Sequence, residues 1–563
     1  MHGIFLAQRR KGAKKAPKKR GSALRLCARD LELEVRMYEY NLAIRFQHIV
    51  EERSLNTAVW FDESRSITYV DLNQRANRIA RLLRSRNVSK GDVVCLSGEK
   101  SIDTFACIIA CLKIGAIYCV VDPVTPVERL RKIFSTCRPR LVFAEREFIV
   151  KFTELISAAD IETLSSDPGF ITASVREFDD SNLELTRSIT GSDGAYIMFT
   201  SGSTGIPKGA LMTHANVLNL IDWSRQTFKI DSTDTLTNVN PLYFDNSVFD
   251  LYSSLFNGSR LAPFTKDEVK DPKLLVEKID AAKCTLWFSV PSLLIFLQTM
   301  KAADGGRMKS ISRFVFGGEG YPKAKLKALY DSYSPASELF NVYGPTECTC
   351  ICSSYKLSSD DFNDLQGLPP LGHIAENFSF LIIDDKGDVL PEGETGELCL
   401  LGPNVGKGYY NDPERTSSSF VQNPLHSAFP DLMYKTGDLT RVDPADGKLY
   451  IRGRRDNQIK HMGYRIELEE IEAALNCLDY ISEAAVLHSR NGELSRIVAV
   501  VSTKDDHNDL QIKQDLRSII PDYMIPGVFY REDALPKNPN GKVDRVSLTE
   551  KYVRANTVKE NHI

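Results

Sequence analysis

From Met37 onward, short β-rich runs alternate with helix-patterned segments. That alternation constrains the fold more than any other feature, because it is the signature of strands laid side by side with helices packed across them, an α/β architecture. In residues 68–87, Leu72, Ala76, Ile79 and Leu83 recur at spacings of three and four and predict an amphipathic helix. Val93–Leu96 reads as a buried strand, and Thr125-Pro126-Val127-Glu128 as a capping box with Pro at the first helical position. Ala195–Phe199 reads as an apolar strand running directly into TSGSTGIPKG. Past residue 375 turn signals thicken (Asp385-Lys386-Gly387, Pro391-Glu392-Gly393, Asp446-Gly447) around the short runs FLII, LCLL and LYIR, which predicts a β-rich subdomain. After residue 456 a helix with Leu468, Ile471, Leu475 and Leu478 on one face precedes two strands about Asn491-Gly492, a hairpin signal.

The chain has 563 residues, too many for one core when domains run about 100–200 residues. The changes of texture divide it into a basic extension (1–36), a large unit (37–455), a smaller one (456–550) and a tail (551–563). Lys and Arg number 71 against 74 acids, so the net charge of −3 gives no reason to expect a general polyanion-binding surface. Eight of the first 20 residues are Lys or Arg and the first acid is Asp30. This stretch reads as a disordered extension in preference to a nucleic-acid-binding arm or a targeting segment.

Phe105–Val121, the most apolar stretch, is broken by Lys113 and Gly115 and falls short of the ~20 residues a bilayer span needs, so no membrane partner is expected. Twelve cysteines without framework spacing, and no secretory signal ahead of them, predict reduced thiols and a cytoplasmic protein. Cys348, Cys350 and Cys352, spaced by two, are predicted to line one face of a strand, as structural or pocket-lining thiols in preference to a zinc site.

Thr200-Ser201-Gly202-Ser203-Thr204-Gly205-Ile206-Pro207-Lys208-Gly209 combines glycines that let backbone N–H groups approach an anion, hydroxyl donors and a cation. It is not a Walker A loop, since Pro207 stands in the place of that motif's second Gly. On composition alone it reads as a flexible turn or as a phosphate loop. The full string resembles the phosphate loop of the adenylate-forming family, which includes acyl-CoA synthetases, luciferases and the adenylation domains of nonribosomal peptide synthetases. Further matches follow in that family's order: Lys113-Ile114-Gly115-Ala116, NVYGPTE from Asn341, Gly396-Glu397-Leu398, Tyr434-Lys435-Thr436-Gly437-Asp438, GRRDNQIKHMGYRIELEEIE from Gly453, PDYMIP from Pro521 and NGKVDR from Asn540. The resemblance spans residues 40–550. It implies a large N-terminal core of two α/β subdomains plus a β-rich one, closed by a small mobile α+β C-terminal domain.

The resemblance implies that ATP and Mg²⁺ are used to join a carboxylate to the α-phosphate, with release of pyrophosphate, before the acyl group passes to a thiol. That chemistry brings two anions together, so cations and a metal are needed at the reacting centre. Glu347 matches the Mg²⁺-coordinating position and Tyr343 the aromatic that stacks on adenine. Asp438 matches the acceptor of the ribose hydroxyls, and Arg454 the ribose and phosphate contact. Thr200, Ser201, Gly202, Ser203, Thr204 and Lys208 would surround the phosphates, with Asn341, Gly344 and Thr346 completing the nucleotide site. Lys542 matches the lysine of the small domain that bridges α-phosphate and carboxylate, and Asp456 the hinge about which that domain turns. Closure would also exclude water from a hydrolysable acyl adenylate.

Tyr243-Phe244-Asp245-Asn246-Ser247-Val248-Phe249-Asp250 resembles the amino-acid-activating branch, in which the Asp after Phe pairs with the substrate α-ammonium. By the same matching, Asn246, Phe249, Ser289, Phe314, Phe316, Val342, Cys350 and Ile351 would form the acid pocket. Three rings among them suggest a small or medium side chain, and the absence of charge an uncharged one. NVYGPTE and the chain length also resemble D-alanine–carrier protein ligase. No carrier serine motif follows Lys542 and no HHxxxDG motif occurs, so the expected acceptor is the phosphopantetheine thiol of a separate carrier protein. The alternatives are an acyl-CoA or aryl-acid ligase of the same family, or a non-catalytic binding protein whose basic N-terminus contacts nucleic acid.

Overall fold

A computed structural model of the chain describes residues 38–202, 205–303, 306–491, 494–504, 507–537 and 543–554. Residues Tyr40–Ile563 form one unit, and everything described below lies in it. Two large sheets and the helices between them make its centre. In the first, nine strands run in the order His373–Ile374, Ser353–Lys356, Glu338–Tyr343, Arg313–Gly317, Leu286–Ser289, Thr235–Asn238, Arg260–Pro263, Thr57–Asp62, Arg65–Thr68, parallel from Glu338–Tyr343 to Thr57–Asp62. In the second the order is Glu162–Ser165, Leu141–Ala144, Val93–Ser97, Ile117–Val120, Gly194–Thr200, Lys208–Thr213, antiparallel only at the last pair.

The helix predicted over 68–87 spans Tyr69–Ser85, and Leu72, Ala76, Ile79 and Leu83 are its buried face. Beside it Ile102–Ile114 is apolar all round and buried along nearly its whole length, which is why Phe105–Val121 looked so apolar: its helix lies between two sheets. Lys113 is completely buried there, and its Nζ donates to Asn73 Oδ1 at 2.7 Å. Burial lowers its pKa to about 7. Gly115 ends the helix at φ +71°, a left-handed cap that explains the Lys-Ile-Gly-Ala string.

The Thr125 capping box does not form. Pro126 itself is the N-cap of Val127–Cys137, in extended backbone and without a side-chain cap, while the Thr125 amide closes a turn onto the Asp122 carbonyl at 3.0 Å. The three clustered cysteines do not share a strand either. Cys348 ends a 3₁₀ turn, Thr349 and Cys350 have φ of 60° and 72°, and the strand begins only at Ser353. All three thiols are buried, and no cluster of metal-ligating residues occurs among the described residues.

After residue 375 a five-stranded sheet runs Ser379–Ile383, Gly396–Leu401, Leu432–Val442, Phe420–Gln422, with Leu449–Arg454 also on Leu432–Val442. It is the β-rich subdomain the turn signals predict. Beyond it come the hairpin Gln458–His461/Tyr464–Glu467, the helix Leu468–Asn476 and a sheet of Ile481–Asn491, Leu494–Thr503 and Val528–Arg531. These close their own α+β core around Ile466, Ile471, Leu475, Val486, Val501 and Leu516. Among the described residues no helix is long and apolar enough to cross a membrane.

His214 supplies a pH test of this packing. Its Nδ1 accepts the Leu42 amide at 3.1 Å, which leaves the proton on Nε2, buried without a partner among the described residues. Burial lowers its pKa from 6.5 to about 4, with Asp193 and Lys90 pulling in opposite directions. Between those values the unfolded chain binds a proton that the folded one refuses. The stabilisation is therefore complete above pH 6.5 and is lost as pH falls toward 4. In His214→Asn, whose Oδ1 can replace Nδ1, the loss of unfolding free energy between pH 7 and pH 5 is expected to be smaller by about 2 kcal/mol, measured from urea denaturation.

Candidate functional site

The strand Gly194–Thr200 leaves the second sheet and Lys208–Thr213 returns antiparallel beside it, so the glycine and hydroxyl loop is held at its two ends. Thr200 is buried, and its Oγ1 has no hydrogen-bond partner among the described residues. Ser201 Oγ donates to the Arg465 carbonyl at 2.7 Å and accepts the Glu467 amide at 3.1 Å. The Gly202 amide donates to Glu470 Oε2 at 3.1 Å, and Lys208 Nζ donates to Glu467 Oε1 at 3.1 Å. Ser203 and Thr204 lie outside the described residues. The loop thus meets the start of the C-terminal segment through two carboxylates.

Glu347 sits in the 3₁₀ turn Thr346–Cys348, just past the strand Glu338–Tyr343. The turn is tight enough that a Cβ on Gly344 would lie 2.3 Å from the Cys350 carbonyl. Glu347 is fully buried; Arg465 Nη1 donates to it at 2.6 Å and the Tyr409 hydroxyl at 2.8 Å. Burial alone would raise its pKa, but Arg465, Lys208 and Tyr409 outweigh that and hold it at about 2. An ionised, hard oxygen donor of this kind fits Mg²⁺, which is ordinarily held by one or two carboxylates plus substrate phosphates, not by an all-protein cage.

A cavity of about 630 Å³ is bordered by Glu319, Asn341, Tyr343, Asp438, Arg454 and Lys460. Tyr343 donates its hydroxyl to Asp438 Oδ2 at 2.6 Å, and Arg454 Nη1 reaches Asp438 Oδ1 at 2.6 Å. Arg454 also grips Asp456 with two bonds, at 2.6 and 2.7 Å, so the proposed hinge residue is tied to the proposed ribose site through one guanidinium. Asn341 Nδ2 donates to the Pro370 carbonyl at 2.8 Å, which fixes that side chain at the cavity wall. Lys460 Nζ lies 5.4 Å from the centre of the Tyr343 ring, a cation–π distance, and burial lowers its pKa. The size of the cavity and its polar lining of Asn341, Asp438, Arg454 and Lys460 fit a nucleotide.

Asp245 stands at the start of the helix Asn246–Leu255, and Thr346 Oγ1 donates to its Oδ2 at 2.6 Å. Burial raises its pKa in spite of that bond, and no Lys or Arg forms an ion pair with it among the described residues. Phe249, Val342, Cys350 and Ile351 are buried in the same core cluster. Asn246 faces Gly318, where a Cβ would lie 3.6 Å from its Nδ2.

The remaining predicted lining residues do not join them. Phe314 packs on Tyr333 at 4.7 Å and Phe316 edge to face on Tyr321 at 5.1 Å, in the cluster on the other face of the nine-stranded sheet. Phe249 instead lies against Phe228 and Phe288. Residues 314 and 316 alternate with Val315, and it is Val315 that faces the Phe249 side. Ser289 accepts from Trp287 Nε1 at 2.8 Å and donates to the Val290 carbonyl at 2.9 Å, so its hydroxyl is already occupied. The three rings therefore do not close around one cavity, and the side-chain size inferred from them loses its basis.

Lys542 lies outside the described residues. Sequence reasoning passed over Arg129, Tyr409, Lys460, Arg465, Glu467 and Glu470. Four of these stand inside the GRRDNQIKHMGYRIELEEIE string, where their clustering of charge was the available signal.

Residues 46–410 match the family described as AMP-binding enzyme, and residues 470–542 match the AMP-binding enzyme C-terminal domain. The chain belongs to the AMP-binding enzymes, the adenylate-forming superfamily, and is an AMP-forming ligase that uses ATP. Within that superfamily its similarity runs to the adenylation domains of nonribosomal peptide synthesis. It is 32% identical to zwittermicin A synthase ZmaJ of Bacillus cereus, over 89% of this chain and 94% of that one. It is also 32% identical to surfactin synthase subunit 2 of Bacillus subtilis (strain 168), over 89% of this chain but only 13% of that protein. Among solved structures, NpsA-ThdA, an artificially fused adenylation–PCP di-domain from Klebsiella oxytoca, superposes with a TM-score of 0.74 at 22% identity, over 88% of this chain and 94% of that one.

Proposed function

We propose that the chain activates an amino acid as its aminoacyl adenylate and transfers it to the phosphopantetheine thiol of a carrier protein. The observation that carries the reading is Asp245, a half-buried carboxylate that accepts a hydroxyl bond from Thr346 and forms no ion pair among the described residues, with Arg465 and Lys460 acting on it only at longer range. A charge in that position is costly unless an opposite charge meets it, and a substrate α-ammonium would do so. Phe249, Val342, Cys350 and Ile351 offer no countercharge, which favours an uncharged side chain. Tyr343, Asp438 and Arg454 would hold the nucleoside, and the loop hydroxyls, the Gly202 amide and Lys208 the phosphates. Mg²⁺ bound with ATP would supply charge neutralisation at the phosphates, with Glu347 as its protein ligand. Residues 37–455 would act as the core and 456–550 as the lid that turns at Asp456. The carrier assignment draws on the likeness to an adenylation–PCP di-domain.

Isotope exchange between pyrophosphate and ATP, run with Mg²⁺ against the L-amino acids, several D-amino acids and simple aryl and fatty acids, tests this reading. Exchange driven by an amino acid is expected. Exchange driven only by a plain carboxylic acid would overturn the role given to Asp245 and favour a CoA or aryl-acid ligase.

A further inference from the structure

Arg129 lies in the helix Val127–Cys137, nine-tenths buried, and its guanidinium is closed onto Glu470, itself 3% exposed. The other oxygen of that carboxylate accepts the Gly202 amide at 3.1 Å. One carboxylate therefore fills a site built from a buried guanidinium and a backbone N–H of the phosphate loop. Beside it, a second carboxylate, Glu467, holds Lys208. Both acids come from residues 467–470, whereas Arg129, Gly202 and Lys208 belong to the core. An arginine fork and loop amides recognise carboxylate and phosphate by the same charge-assisted, paired hydrogen bonds.

We infer that Arg129 is a further binding residue for the β- and γ-phosphates of ATP and for the pyrophosphate they become, and that Glu470 is the internal surrogate that replaces them when residues 467–470 meet the phosphate loop. The inference rests on the proposed function, because it requires residues 467–470 to leave the phosphate loop when ATP enters, the small domain then taking the placement that brings Lys542 to the reacting atoms. Two substitutions at the two ends of one ion pair then act in opposite directions. Glu470→Gln removes the competitor, so Mg·ATP and magnesium pyrophosphate bind more tightly. Arg129→Gln removes a phosphate ligand, so both bind more weakly, by about tenfold. AMP, which lacks those phosphates, binds both variants as it binds the wild type.

The experiment is calorimetric titration of the full chain and the two variants with Mg·ATP, magnesium pyrophosphate and AMP, with Arg129→Lys as a milder third variant. Unchanged AMP affinity shows that each variant is folded. Opposite shifts for ATP in Arg129→Gln and Glu470→Gln are expected, with Arg129→Lys between wild type and Arg129→Gln. Tighter ATP binding in both would overturn the inference and leave Arg129 as an anchor of residues 467–470 only. Wild-type protein that binds neither ATP nor AMP would instead sink the functional reading itself, and the inference with it.

Discussion

Lys542→Ala is expected to lower adenylation, read as pyrophosphate exchange, by about 10²–10³-fold while Mg·ATP binding is retained, the scale of losing one donor aimed at developing charge. The reason is the meeting of two anions. Glu347 is ionised and Asp438 is already spanned by Tyr343 and Arg454, so the cations of the core are committed to groups other than the incoming carboxylate. A lysine carried in by the small domain, as proposed for Lys542, would add charge at the reacting atoms without changing the proposed nucleotide site. Among the described lysines Lys460 also borders the cavity, buried against Tyr343 and in the field of Asp438 and Asp245. Near-wild-type exchange in Lys542→Ala together with loss in Lys460→Ala would move the role to Lys460.

The second large effect is at Asp245. Asp245→Asn keeps the bond to Thr346, because an amide oxygen can accept it, but cancels the charge. An α-ammonium would then be buried without its counterion, at a cost of about 3–5 kcal/mol. That corresponds to a loss of about 10²–10⁴-fold in kcat/KM for the amino acid, while the KM for ATP is unaffected. Parallel loss for ATP and amino acid would point to a misfolded turn at Thr346 and remove the case for an ammonium site.

Much of the fold was legible because its signals are local. The helix Tyr69–Ser85, the strand Val93–Ser97 and the β-rich sheet after residue 375 follow from periodicity and turn chemistry within a dozen residues. The failures have physical causes. Cys348, Cys350 and Cys352 carry a period of two, but left-handed backbone at Thr349 and Cys350 turns the chain out of strand geometry. Phe314 and Phe316 follow from motif matching alone, and the face they present is set by the sheet partners Trp287 and Ser289, which a linear string does not reveal. The ion pair between Arg129 and Glu470 spans 341 residues, and nothing local announces it. In the candidate site, motif strings marked the neighbourhood, while the bonds that bring Thr346 to Asp245 and Arg465 to Glu347 are products of tertiary packing.

The distribution of thiols has a practical consequence. Ten of the eleven described cysteines are buried, and Cys477 alone is open to solvent, at the C-terminal end of the helix that carries Glu470. Once Cys27, outside the described residues, is replaced by serine, a maleimide dye has a single fast-reacting target. The molecule thus carries its own attachment point for a fluorophore on the element that meets Arg129, and energy transfer from a second dye placed on the core would follow that helix turnover by turnover without disturbing a buried side chain.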